Sequence, residues 1–310
     1  VSSNYAAAGI PPEEPARGVH NTLPQPAKKT SRAGRDLPAA IVVGLFTGGL
    51  VVGTLFFAPR YWVVLCAGAI LLSSHEVVRR LREAGYVIPV IPLLVGGQVT
   101  VWLTWPYGAR GALAGFGAMV VACMFWRLFM HDKSRPHDQS AGPPSSHYLR
   151  DASATIFLAV WVPLFASFAA LLVYHPKEGA GRVFCLMATV VASDVGGYAV
   201  GVLFGKHPMV PAISPKKSWE GLAGSLVCGV TAATLSVTFL AGKAWWIGAL
   251  LGVLLVLTCT LGDLVESQVK RDLGIKDMGR LLPGHGGLMD RLDGVLPSAA
   301  AAWAVLTLLP

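Results

Sequence analysis

Charged residues are scarce in this sequence. Asp, Glu, Lys and Arg make up 14% of it, hydrophobic residues 54%, and the mean hydropathy is +0.57. Soluble domains carry about 25% charged residues, so the shortage excludes a soluble globular protein and implies one integral membrane bundle. Cysteine is sparse too. Cys66, Cys123, Cys185, Cys228 and Cys259 stand singly within apolar runs and form no CxxC pair. They read as small buried hydrophobes rather than metal or disulfide partners. Residues 1–36 lack apolar periodicity, and no apolar signal core with a cleavage site appears in them. Their Pro, Ala, Ser and charge read as a disordered cytoplasmic tail.

What the chain does have is a series of apolar segments, at roughly 37–58, 61–77, 87–105, 110–130, 152–174, 182–204, 221–241, 244–262 and 294–310. Most approach the ~20 residues needed to cross ~30 Å of hydrocarbon. The pattern predicts an all-α polytopic membrane helix bundle of about nine transmembrane helices. With the N-terminus inside, the inner segments (1–36, 78–86, 131–151, 205–220 and 263–293) hold 19 of the 25 Lys and Arg residues, and the outer loops hold five. This bias follows the positive-inside rule. The net charge of +8 is therefore a topological signal and not a nucleic-acid footprint.

The acidic residues locate the chemistry. Eight of 17 lie after residue 190, and all eight fall on the inner side or inner half of a span. Residues 37–175 thus read as an N-terminal transmembrane scaffold and 176–310 as a C-terminal catalytic region of the same membrane domain. Asp194 sits inside an apolar span, where an unpaired carboxylate costs at least ~2.5 kcal/mol. It must face a polar cavity, a cation or a partner, and Gly196 and Gly197 beside it let a helix or ligand come close. The stretch 205–221 holds three prolines, which keep it from becoming helix. Ser218 is placed to cap the next span, with Gly221 at its third position. Lys216 and Lys217 crowd Ser214 and Glu220 at that helix mouth, a setting suited to phosphate.

The third cluster runs from 263 to 293. Asp263 closes an apolar span, and Asp290 and Asp293 share one face if their segment is helical. Three carboxylates at one depth repel each other, and a hard divalent cation such as Mg²⁺ resolves that. Glu266, one turn from Asp263, is placed to join the shell or pair with Lys270. Residues 283–287, Pro-Gly-His-Gly-Gly, form a turn whose backbone N–H groups approach an anion. Lys270, Arg271, Lys276 and Arg291 supply charge for phosphate oxygens.

These residues resemble the phosphatidate cytidylyltransferases, or CDP-diglyceride synthases. The family signature is matched by Ser267, Lys270-Arg271, Lys276-Asp277, Pro283 to Gly287, and Asp290-Arg291-Leu292-Asp293 with the same spacing. The run 213–221 looks like a second family motif, and Ser193-Asp194 with Gly197-Tyr198 like a third. One departure is Gly294, where relatives often carry Ser. The resemblance implies a reaction of CTP with phosphatidic acid at the lipid bilayer, giving CDP-diacylglycerol and pyrophosphate with Mg²⁺. It implies Asp263, Asp290, Lys217, Arg291 and Asp194 as catalytic residues. Substrate binding falls to Ser214, Lys216, Lys217, Lys270, Lys276, His285, Gly286 and Arg291. The metal falls to Asp263 and Asp290, with Asp293 as a third candidate, and a second cation such as K⁺ would clamp the entering and leaving oxygens. Gly- and Ala-rich spans suit a homodimer seam, and the expected location is a bacterial inner membrane.

The rival enzymes are other Mg-dependent lipid-phosphate transferases and lipid kinases, which share buried carboxylates. No Asp-Gly-x-x-Ala-Arg run with downstream paired aspartates marks a CDP-alcohol phosphotransferase. A transporter is disfavoured because the polar signals occupy one half only, not two related halves.

Overall fold

A computed structural model describes residues 48–55, 57, 61–130, 147–174, 178–279, 281 and 286–309. All of these belong to one compact unit. The tail at 1–36, most of the first apolar segment, residues 131–146 and His285 lie outside the described residues.

The described residues are predominantly helical. After a helical stretch at 48–55 come α1 (Trp62–Glu83), α2 (Val90–Trp102), α3 (Thr104–Phe129) and α4 (Tyr148–Ala159). One wide π turn at Val160–Leu164, which accommodates Pro163, carries α4 into α5 (Phe165–Val173). Then follow α6 (Gly179–Phe204), a hairpin of β1 (Pro208–Val210) and β2 (Ser214–Ser218), α7 (Trp219–Leu240) and α8 (Trp245–Asp272). A single turn, α9 (Met289–Leu292), leads into α10 (Val295–Leu308).

Six of these helices, counting α4–α5 as one, are long and apolar enough to cross a membrane. The expected nine are thus not reached among the described residues. Helix α2 has only 13 residues and α10 only 14, about 20 Å at 1.5 Å per residue. The apolar run at 87–105 is longer than its helix because it includes an extended entry before Pro89 and the link at Leu103. The next helix breaks at Gly108, whose φ of 58° no bulky residue adopts readily.

Small residues set the tightest packing. Along the α6–α7 seam, a Cβ at Gly196 would lie 2.6 Å from Cys228 Sγ and 2.7 Å from the Gly224 carbonyl oxygen. One at Gly224 would lie 2.6 Å from Val200 Cβ. The two backbones therefore approach as in small-residue membrane interfaces. The opposite face of α6 leaves Val191, Val195, Tyr198 and Val202 exposed. Such apolar surface suits hydrocarbon, not water.

Contacts at the two ends of the bundle group the segments as the charge count does. Arg150 donates to Gly85 O, Arg80 to Met278 O, Lys217 to Asp263 and Arg271 to Ile213 O, all joining segments assigned to the inner side. At the other end Arg182 reaches Thr307 and Lys243 reaches Leu309 O.

Candidate active site

The hairpin positions the first cation. Pro208 and Pro215 sit in an antiparallel pair in which Pro208 faces Ser218 and Val210 faces Ser214. Ser218 then caps α7, its Oγ accepting from Gly221 N–H at 3.1 Å. Glu220, in the first turn, accepts from the backbone N–H groups of Lys206 and His207 and meets His207 Nδ1 at 2.5 Å. The strand alternation sends neighbouring lysines opposite ways. Lys217 is half-buried and donates to Asp263 Oδ2 at 2.7 Å, while Lys216 is exposed.

Asp194 belongs to the same group. It is exposed, ten residues from the inner end of α6, and lies within electrostatic reach of Asp263, Lys217 and Arg291, with Cys259 Sγ 3.8 Å from its Oδ1. Desolvation and the charge of Asp263 oppose a carboxylate at that depth, and Lys217 and Arg291 offset part of the cost.

The remaining carboxylates divide into two sets. Asp290 is saturated by the protein. Lys270 Nζ donates to Oδ1 at 3.0 Å, and the N–H groups of Met278 and Gly287 donate to Oδ2 at 3.0 and 2.8 Å. Burial opposes its charge, yet Lys270 and these N–H groups outweigh burial and hold the carboxyl below its ordinary range. Asp293, although only three residues on, faces a different neighbourhood. Its Oδ1 accepts from Gly294 N–H at 2.8 Å. Burial first, then the charges of Asp263 and Glu266, push its carboxyl far above the usual carboxylate range. Glu266 is buried; its Oε2 accepts from Lys270, and its carboxyl shares a hydrogen bond with that of Asp293. Asp263, Glu266 and Asp293 thus lie within electrostatic reach of one another.

The tight join of α8 to α10 holds this group together. A Cβ on Gly294 would lie 2.6 Å from Cys259 Sγ and 3.2 Å from Asp263 Oδ1. Glycine at 294 is therefore matched to cysteine at 259, and a serine there would need a smaller neighbour.

Of the other sequence candidates, Ser214 and Gly286 are partly buried, Lys276 and Arg291 are exposed, and Gly286 has a φ of 85° that requires glycine. A Cβ on Gly286 would lie 3.1 Å from Asp290 Oδ2. Two residues from the amino-terminal half, not singled out by the sequence, enter beside them. Glu76 of α1 accepts from Met289 N–H at 3.0 Å through Oε2, and Arg80 donates to Met278 O at 2.8 Å. The available signal was Glu76 itself, an ionisable residue inside an apolar run, the same signal that marks Asp194.

Fold and site together define a polytopic helical membrane protein that gathers carboxylates and lysines from separate helices at one end of the bundle. A model of the Cytidylyltransferase family matches residues 38–309, and the chain belongs to that family. It is 74% identical over 313 residues to a phosphatidate cytidylyltransferase of Mycobacterium leprae, covering all of both chains. It is 70% identical over 310 residues to one of Mycobacterium tuberculosis, covering all of this chain and 93% of the other. A Brucella melitensis phosphatidate cytidylyltransferase is 30% identical over 246 residues, 68% of this chain and 89% of that one.

Proposed function

We propose that this protein transfers the cytidylyl group of CTP to phosphatidic acid, giving CDP-diacylglycerol and pyrophosphate for phospholipid synthesis. A phosphatidate oxygen attacks the α-phosphorus of CTP; the new P–O bond forms as the bond to the β-phosphate bridge breaks, and pyrophosphate leaves. The phosphatidate phosphate is already anionic and needs little activation. The obstacle is mutual repulsion of two polyanions, so catalysis rests on positioning and charge neutralisation.

The observation that carries this reading is the Lys217–Asp263 pair beside Asp194, Asp293 and Glu266. Lys217, Lys216 and Arg291 take phosphate oxygens, Ser214 donates to one, and Lys276, His285 and Gly286 add to the anion contacts; Lys270, expected among them, is instead taken up by Glu266 and Asp290. Asp194 orients Lys217 from α6. Acyl chains stay in lipid while the head group enters sideways, and CTP arrives from the cytoplasm, the side of the basic segments. The setting is a bacterial inner membrane; a homodimer would use surface other than the α6–α7 seam, which is taken up within the chain.

Among the described residues no three carboxylate, imidazole or thiol groups stand ready to hold a metal ion. The chemistry of the donor set nevertheless fits Mg²⁺: hard carboxylate oxygens whose charges oppose one another around Asp293. Asp263 and Asp293 with Glu266 would hold it once Lys217 turns to phosphate. Asp290, also expected as a ligand, would have to exchange its N–H and lysine partners to join. When bound, the ion neutralises phosphate charge, and a second cation such as K⁺ would share that task.

Purified protein incubated with radiolabelled CTP, phosphatidate and Mg²⁺ should give labelled CDP-diacylglycerol and pyrophosphate, and EDTA should stop it. Consumption of ATP or a UDP-sugar in place of CTP would point to a lipid kinase or sugar-phosphate transferase.

A further inference from the structure

The described parts of the loop between α8 and α9 are held from two directions. From within, Asp290 gathers Met278 N–H and Gly287 N–H onto one oxygen. From outside, Glu76 and Arg80 on α1 take the same two pieces of chain. Glu76 Oε2 accepts from Met289 N–H at 3.0 Å, and Arg80 donates to Met278 O at 2.8 Å and to Asp277 O at 3.4 Å. The fit is close. Gly279 and Gly287 both abut the Glu76 side chain, and all three of the nearest atoms to a Cβ on Gly279 belong to Glu76. At Gly287 a Cβ would lie 2.7 Å from Glu76 Oε2. Two glycines thus leave room for one carboxylate from more than 200 residues earlier in the chain.

We infer that Glu76 is a positioning residue for the cytidylyl transfer proposed above: from the amino-terminal half of the chain it sets where 277–279 and 286–290 sit, and through them Asp290 and Arg291. The inference rests on that proposed reaction for its kinetic consequence but not for its structural one. Glu76 touches no reacting atom in this role. It holds the first N–H of the turn that carries Asp290 and Arg291, and Arg80, one helical turn along α1, holds the other side. A carboxylate suits the task because a charged acceptor makes a stronger bond to a backbone N–H than a neutral one does.

The test uses the full-length protein in detergent or vesicles. Glu76→Ala should lower kcat by about tenfold to a hundredfold, the scale of a displacement of about 1 Å in an active site, with KM for CTP and phosphatidate nearly unchanged. Glu76→Gln keeps an acceptor oxygen and should restore most of the turnover. Gly279→Ala should lower kcat alone but add little to Glu76→Ala, because the side chain it would strike is gone. Hydrogen exchange at the Met289 and Gly287 amides should quicken in Glu76→Ala while α3 and α7 exchange as before. Wild-type kcat in Glu76→Ala, additive losses in the Gly279 cycle, or unchanged amide exchange would each overturn the inference. If Glu76→Ala fails to fold, the Gly279→Ala and Glu76→Gln arms decide it. A wild-type protein inactive toward CTP and phosphatidate would instead reject the reaction, leaving the exchange result to judge the clasp.

Discussion

Asp290 and Asp263 were both expected to hold a metal, yet their surroundings differ enough to separate them experimentally. Asp290 accepts one lysine and two backbone N–H groups and its side chain is only 7% exposed; Asp263 is 34% exposed and meets one lysine. Asp290→Asn should abolish turnover and also lower stability by about 3 kcal/mol, since it strips the charge from a buried network. Asp263→Asn should abolish turnover with a nearly unchanged melting temperature. Thermal unfolding in detergent beside the CTP assay distinguishes them. The pH dependence has a definite sign. The Asp290 carboxyl lies below its unfolded range, so its stabilisation is present above the ordinary carboxylate pKa and lost as pH falls through the lower folded value. Acid unfolding curves should lose that share of their slope in Asp290→Asn. Asp263, Asp290, Asp194 and the lysines were legible because charge in an apolar chain is conspicuous. Their pairing was not, because Asp290 and Asp293 are three residues apart yet turn to different partners, and Glu76 lies more than 200 residues from the N–H it accepts.

At the scale of elements, the hairpin separates Lys216 from Lys217, which the sequence left equivalent. Prolines ruled out a helix there, but only an assigned strand implies that alternate residues face opposite ways. The Ser218 cap was legible from the residue before an apolar run. Ser218→Ala should cost about 1 kcal/mol, read as a lower melting temperature, with a drop in turnover because Lys217 is the next residue. The α6–α7 seam gives a sharper contrast. Gly196→Val would drive its side chain into Cys228 and the Gly224 carbonyl and displace Asp194, so folded yield and activity should both fall. Gly201→Ala meets its nearest neighbours at 3.6 Å, an ordinary contact, and should be tolerated. Comparing the two by size-exclusion chromatography and activity checks whether packing, and not glycine content, is what matters.

For the whole molecule, composition sufficed to show a helical membrane bundle. Counting spans did not follow as directly, since apolar runs include links that no helix occupies, as at Leu103. Contacts gather the basic segments at one end despite this miscount, and labelling decides which side that end faces. Cysteine introduced at Lys206 should react with a membrane-impermeant thiol reagent only from the cytoplasmic side, and one at Lys243 only from the opposite side. The reverse labelling would invert the topology and place the CTP entry wrongly.

The Lys217–Asp263 ion pair also bears on how such a protein rests idle in a bilayer. With each partner answering the other, the pair presents little naked charge to the surrounding hydrocarbon, and the cost of keeping it there is small. Under the proposed reaction, a nucleotide carrying a divalent cation would offer an anion to Lys217 and a cation to Asp263 together, leaving neither charge stranded. On that reading the metal–nucleotide complex, rather than either component alone, would be the species that enters.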